Sequence, residues 1–157
     1  PMQSAFIGWK QEPDEYLARI LGHDRLEKLN PIKTFRDNGI IVSFGSDAPC
    51  TTPDPIAWMD KAVNSGNAGQ AVSVQDALRM CTYNGAWAAF DEQERGSLEA
   101  GKIADMAVLS ENPYTVPKDK IKNIRVERLY LGGKPYESCR ENILPMMLRG
   151  LTSRNKA

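Results

Sequence analysis

The sequence has one histidine, three cysteines and no excess of either charge in 157 residues. A single imidazole, His23, cannot furnish a site that needs several, which excludes multi-histidine zinc and iron chemistry from one copy of this chain. Cys50, Cys81 and Cys139 are odd in number and widely spaced, with no C-x-x-C pair. Neither a disulfide framework nor a cysteine zinc site is indicated, and a reducing cytoplasm is the expected compartment. Lys plus Arg number 20 and Asp plus Glu number 20, which removes the electrostatic footprint of a nucleic-acid or anionic-membrane binder. No run approaches the roughly 18 apolar residues of a membrane span. The start, Pro1-Met2-Gln3-Ser4, lacks a charged region followed by an apolar core, so no targeting signal is expected there. A first residue other than Met fits either a trimmed initiator or a piece of something longer. What is present is ordinary globular composition, 41% hydrophobic and 25% charged, with one domain as the default count.

Two grammars divide the chain. Pro13-Asp14 opens a predicted helix through Leu17, Ile20 and Leu21, stopped at Gly22. Asn30 as cap and Pro31 at the first position predict a second helix, with Ile32 and Phe35 on one face and Gly39 at its end. Ile40 to Phe44 alternates little and is rich in β-branched residues, which reads as a strand buried on both faces in a parallel sheet. Asp54-Pro55 starts another helix, with Ile56, Met59 and Val63 on one stripe. Ser73 and Asp76 read as a capping box, and Asn84 as the cap of a further turn from Ala86 to Phe90. From Gly96 onward strands and turns take over: Ala104 to Leu109 is a compact apolar run, and Val126 to Leu131 meets Gly132-Gly133 as a hairpin. Lys118, Lys120 and Lys122 read as a solvated edge, Trp58 and Trp87 as core, and the tail from Cys139 is given no structure.

An acidic residue directly after a buried parallel strand lies at the carboxyl end of a sheet, where α/β proteins place reactive groups. Asp47, in Gly45-Ser46-Asp47-Ala48-Pro49, is the one candidate in that position. On pattern alone it either caps a turn or carries chemistry. Ser46 and Thr51 have no histidine placed to activate them, which argues against a serine-type hydrolase.

Read together with Gly96-Ser97-Leu98-Glu99-Ala100-Gly101-Lys102-Ile103-Ala104-Asp105-Met106-Ala107-Val108-Leu109, the Asp47 motif resembles the C-terminal part of the amidohydrolase superfamily of metal-dependent hydrolases, in particular the branch that includes N-substituted formamide deformylases. The resemblance covers about residues 1 to 136. It implies an α/β fold: the C-terminal fragment of a (β/α)8 barrel, with its last strand and flanking helices, plus the C-terminal strands of a small composite β-sandwich. Residues 1–94 would belong to the barrel, 95–137 to the sandwich, and 138–157 to a tail. It implies a divalent metal, commonly zinc, in the full-length protein, a small-molecule substrate with a scissile C–N bond, and Asp47 as both metal ligand and proton shuttle.

The departures matter equally. The family's histidine ligands have no counterpart here, and His23 corresponds to a connecting segment, so it reads as a surface or structural residue. Asp47 alone cannot hold a catalytic zinc. The isolated chain is therefore expected to bind no metal and to be inactive. Asp105 reads as a carboxylate satisfying backbone donors at a turn, whereas Arg95 and Asn84 receive no role. A different class of function, a non-catalytic binding or self-assembly module that forms homo-oligomers through exposed apolar surface, stays open. So does complementation by a second polypeptide carrying the histidines.

Overall fold

A computed structural model describes residues 1–136. The expected Cys139 and tail segment 138–157, with residue 137, lie outside the described residues. Six short helices are followed by a small antiparallel sheet, and local chemistry explains most of their limits. Helix α1, Asp14–Leu21, opens with Asp14 and Glu15 in its first turn, where carboxylates complement the helix dipole, and ends as Gly22 donates to the Ala18 carbonyl at 2.9 Å. The single turn α2, His23–Leu26, packs beside it.

Helix α3, Ile32–Asp37, ends before Gly39 as expected, but Asn30 does not cap it. Asn30 adopts φ 50°, and its carbonyl instead accepts from Ile32 N at 2.7 Å. Helix α4, Pro55–Val63, has its cap where the sequence puts it: Asp54 accepts from the backbone N–H groups of Ile56 and Ala57, with Pro55 in the first turn. Helix α5, Val74–Cys81, is capped by Ser73, whose Oγ accepts from Asp76 N at 3.0 Å. Asp76 also pairs with Arg36, tying α5 to α3.

Helix α6 spans Tyr83–Ala88. Asn84 is inside it rather than at its cap, a correction with a functional consequence described below. Trp87 is also corrected, since it is 42% exposed and not core, whereas Trp58 is part-buried against the core. The helical spacing that gives an apolar stripe was absent around Trp87, where Ala86, Ala88 and Ala89 offer no periodicity to orient it.

One hydrophobic cluster joins these pieces. Ile32 from α3, Val42 and Phe44 from the following segment, Met59 from α4, Met80 from α5 and Ile121 from the later connector are all buried. Each such side chain removed from water contributes about 1.5–3 kcal/mol. Ile121 lies in a 3-10 turn, Lys118–Asn123, so the three lysines decorate a turn, all exposed, rather than a strand edge.

The sheet has strand order β1-β2-β3: β1 Met106–Leu109, β2 Val126–Leu131 and β3 Lys134–Pro135, both pairings antiparallel. Met106 faces Tyr130, and the register shifts between Val108 and Leu109. Val108, Val126, Leu129 and Leu131 are 41–54% exposed, so this sheet buries little of its own apolar surface.

The expected strand at Ile40 to Phe44 is not formed as one. Val42 and Phe44 are buried, but Ile40 and Ile41 are 52% and 43% exposed. The segment is extended and makes a single parallel bridge, from Phe44 to Met2. A ladder needs a neighbour along its length, and among the described residues Met2 alone supplies one. Among the described residues no helix is long and apolar enough to cross a membrane.

Candidate functional site

Three separate parts of the chain position the residues leading to Asp47. Ser43 O accepts from Met2 N at 2.8 Å, and Gly45 N donates to Met2 O at 3.1 Å, forming the parallel bridge. On the other side the break between α5 and α6 at Thr82 leaves the Met80 carbonyl free of helical bonding. That carbonyl accepts from Phe44 N at 3.1 Å. Buried Asn84 then donates from Nδ2 to Val42 O at 2.6 Å. The polar groups of the segment are thus satisfied partly by helix ends and a side chain in place of a second strand.

Beyond Phe44 the chain turns. Asp47 is exposed and adopts φ 53°, a left-handed conformation that aspartate tolerates better than most residues. Its carbonyl accepts from Cys50 N at 2.9 Å, while Ser46 Oγ accepts from Ala48 N at 3.2 Å and Ser46 O accepts from the Thr51 hydroxyl. The hydroxyls of Ser46 and Thr51 therefore shape the loop. The Asp47 carboxylate is held at the downstream end of the bridged segment and stays open to solvent.

An open cleft of about 390 Å³ starts two residues further on. Pro49, Cys50 and Thr51 form one side, Ala5 and Trp9 another, and Trp58 of α4 closes it. Both loops that meet here follow the bridged residues, Met2 and Phe44, so the cleft lies past the carboxyl ends of two parallel segments. Trp9 is braced edge-on by Phe6, with ring centroids 4.8 Å apart. Buried Ser4 donates from Oγ to the Trp58 carbonyl at 3.0 Å, fastening the N-terminal turn to α4. Among the described residues, Trp58 Nε1 is the buried side-chain donor without a partner.

A carboxylate oxygen is a suitable donor for a divalent cation, but a catalytic zinc takes about three protein ligands and a water. Among the described residues no three His, Cys, Asp or Glu side chains converge. Asp47 therefore fits as one donor, and these residues alone do not make a metal centre. His23 is exposed at the start of α2.

Asp105 has the structural environment expected of it. Its Oδ1 accepts from Gly132 N at 2.7 Å, and its other oxygen pairs with Arg95, which also holds Asp91 at 2.9 Å. Lys102 donates to the Glu92 carbonyl at 2.6 Å and to Ser97 Oγ at 2.7 Å. These groups brace the return from α6 to the sheet.

Asn84, Ser4 and the two cleft tryptophans are missed as site residues by the sequence reading. A polar side chain that serves another segment's backbone leaves no periodic signal. Trp9 and Trp58 meet only after folding.

The amidohydrolase family model matches residues 2–136. N-substituted formamide deformylase of Arthrobacter pascens is 36% identical over 135 residues, covering 82% of this chain and 23% of that protein. An amidohydrolase from Thermotoga maritima superposes on 68% of this chain and 25% of its own, at 26% identity and TM-score 0.55. A metal-dependent hydrolase from Pyrococcus furiosus does so on 65% of this chain and 21% of its own, at 27% identity and TM-score 0.55. The chain thus spans about a quarter of the length of the relatives it matches. A family match that runs through both the Asp47 loop and the Gly96 to Leu109 segment, joined to a relative above a third identical, leads to one conclusion: this chain belongs to the amidohydrolase family.

Proposed function

We propose that this chain is the C-terminal portion of a hydrolase that cleaves a C–N bond, in an amide or cyclic amide, with Asp47 moving the proton to the leaving amine. The observation that carries the reading is the placement of Asp47, a solvent-open carboxylate at the end of a segment pinned by Met2, Met80 and Asn84. The deformylase likeness supports an amide-type bond. In the full-length protein a divalent metal, zinc by family analogy, would lower the pKa of a bound water, with Asp47 as one ligand and other residues supplying the rest. A carboxylate in this position can accept a proton as nucleophilic attack develops and return it to nitrogen as the bond breaks. Residues 1–94 would complete a (β/α)8 barrel and 95–137 a composite β-sandwich, which gives the exposed faces of β1 and β2 a covering in the parent protein. The substrate is a small molecule.

The test is Asp47→Asn in the complete polypeptide, where kcat should fall by about 100-fold or more. Retention of wild-type kcat would remove Asp47 from the mechanism. The purified 157-residue chain should hold far less than one zinc and hydrolyse nothing; stoichiometric metal lost on Asp47→Asn would overturn that part. A second reading, self-assembly without catalysis, is favoured by the exposure of Phe90 at 94% and Leu98 at 77%. A monodisperse oligomer with little dye-accessible apolar surface would support it, whereas aggregation or strong dye binding would count for an incomplete enzyme.

A further inference from the structure

Resting on the reading of Asp47 as the proton carrier, we propose that the cleft beside it receives a flat, uncharged apolar group of the substrate, and that Trp9 and Trp58 are its specificity-determining residues. Location is the first argument. The cleft is built by the loops that follow Met2 and Phe44, two residues joined in a parallel bridge, and its near wall begins at Pro49, two residues after Asp47. A molecule reacting at Asp47 has this concavity immediately beside it. Its volume, about 390 Å³, falls in the range of about 300–1,000 Å³ usual for small-molecule sites.

The lining decides the chemistry. Two indole rings and Pro49 present flat apolar faces, and no Lys or Arg lines the cleft. The carboxylate of Asp54 is there, but its Oδ1 is occupied by the N–H groups of Ile56 and Ala57. The Thr51 hydroxyl is likewise used by Ser46 O. An anionic group would find no counter-charge, whereas an aromatic ring would find partners on several sides.

Preorganisation is the third argument. Phe6 stands edge-on to Trp9, at an interplanar angle of 86°. Ser4, two residues before Phe6, is fastened to the Trp58 carbonyl at 3.0 Å. The two walls are therefore tied to one another before any ligand arrives, which reduces the ordering needed on binding.

The experiment is calorimetric titration of the complete polypeptide with three probes: acetamide, benzamide and 4-carboxybenzamide. Benzamide should bind about tenfold more tightly than acetamide, the value expected from burying one ring face, and 4-carboxybenzamide should lose that gain. Trp58→Ala and Trp9→Ala should each remove most of the preference, and Trp58→Phe should keep it. Ala57→Phe, which fills the cleft while leaving both tryptophans, should also abolish it and serves if Trp58→Ala does not fold. Equal affinities for acetamide and benzamide, tighter binding of the carboxylated probe, or a ring preference untouched by both tryptophan variants and by Ala57→Phe would each overturn the proposal. Asp47→Asn should leave the ring preference intact. An active Asp47→Asn enzyme with a normal ring preference would therefore sink the proton-carrier reading alone.

Discussion

Gly96 offers a sharp test of how the helical and β parts are joined. Its φ is +86°, and a Cβ added there would lie 2.7 Å from Ala86 Cβ and 2.9 Å from Tyr83 Cα, both on α6. Backbone cannot swing aside as a flexible side-chain tip can. Gly101, at φ +95°, shares the unusual conformation, but nothing lies within 4 Å of its added Cβ. The pair separates conformational strain from collision. Gly101→Ala should cost about 1–2 kcal/mol, the penalty for a left-handed alanine. Gly96→Ala should add an overpacking cost of about 1–3 kcal/mol. Urea unfolding followed by far-ultraviolet circular dichroism would read this as a lower midpoint for Gly96→Ala than for Gly101→Ala, displaced by about 1 M at a typical slope. Adding Ala86→Gly to Gly96→Ala should recover part of the loss. Equal midpoints for the two single variants, or no recovery in the double variant, would refute the claim that α6 is pressed against this turn.

Other expectations follow from single interactions. Asn84→Leu leaves the Val42 carbonyl without its 2.6 Å donor and should cost about 1–3 kcal/mol in unfolding experiments, with Asn84→Gln retaining part of the loss. Asp105→Ala removes the acceptor of Gly132 N and should cost about 1 kcal/mol, whereas Arg95→Ala, which breaks exposed ion pairs, should cost less and be salt-sensitive. Burial pushes the Cys81 thiol from 9.0 up to about 12. As pH rises past 9.0 the unfolded thiol ionises before the folded one, so stability should fall toward pH 12, and Cys81→Ala should flatten that decline. Mass-resolved alkylation at neutral pH should accordingly modify exposed Cys50 well before Cys81.

Local chemistry was the readable part of this molecule. Asp54-Pro55 and Ser73 with Asp76 announce helices because capping is decided within a few residues, and Gly132-Gly133 announces a hairpin for the same reason. Asp105 was assigned its turn role from the motif alone, and Gly132 N and Arg95 fill it. Asn30 and Asn84 show the limit of that logic, since an asparagine before an apolar run can cap, yet the same amide can serve another segment. For Asn84 the nearby Val42 carbonyl won. The apolar run at Ile40 to Phe44 signalled burial, but whether a strand forms depends on a neighbour that composition does not contain, and Ile40 and Ile41 remain open. The cleft could not be read at all, because Trp9 and Trp58 are 49 positions apart in the chain and are joined through Ser4.

The helix break at Thr82 has a consequence for alignment. Because Met80 O takes Phe44 N and Asn84 takes Val42 O, two fixed points two residues apart grip the same extended segment. A slip by one residue would present Ser43 to the core in place of Val42 and Phe44, and would rotate everything downstream to the opposite side. The junction of α5 and α6 thus acts as an indexing stop: it sets which way Asp47 faces although it lies more than thirty residues away in the chain. Substitutions that shift this junction by a fraction of a turn should mis-aim the carboxylate while leaving its own loop chemically unchanged.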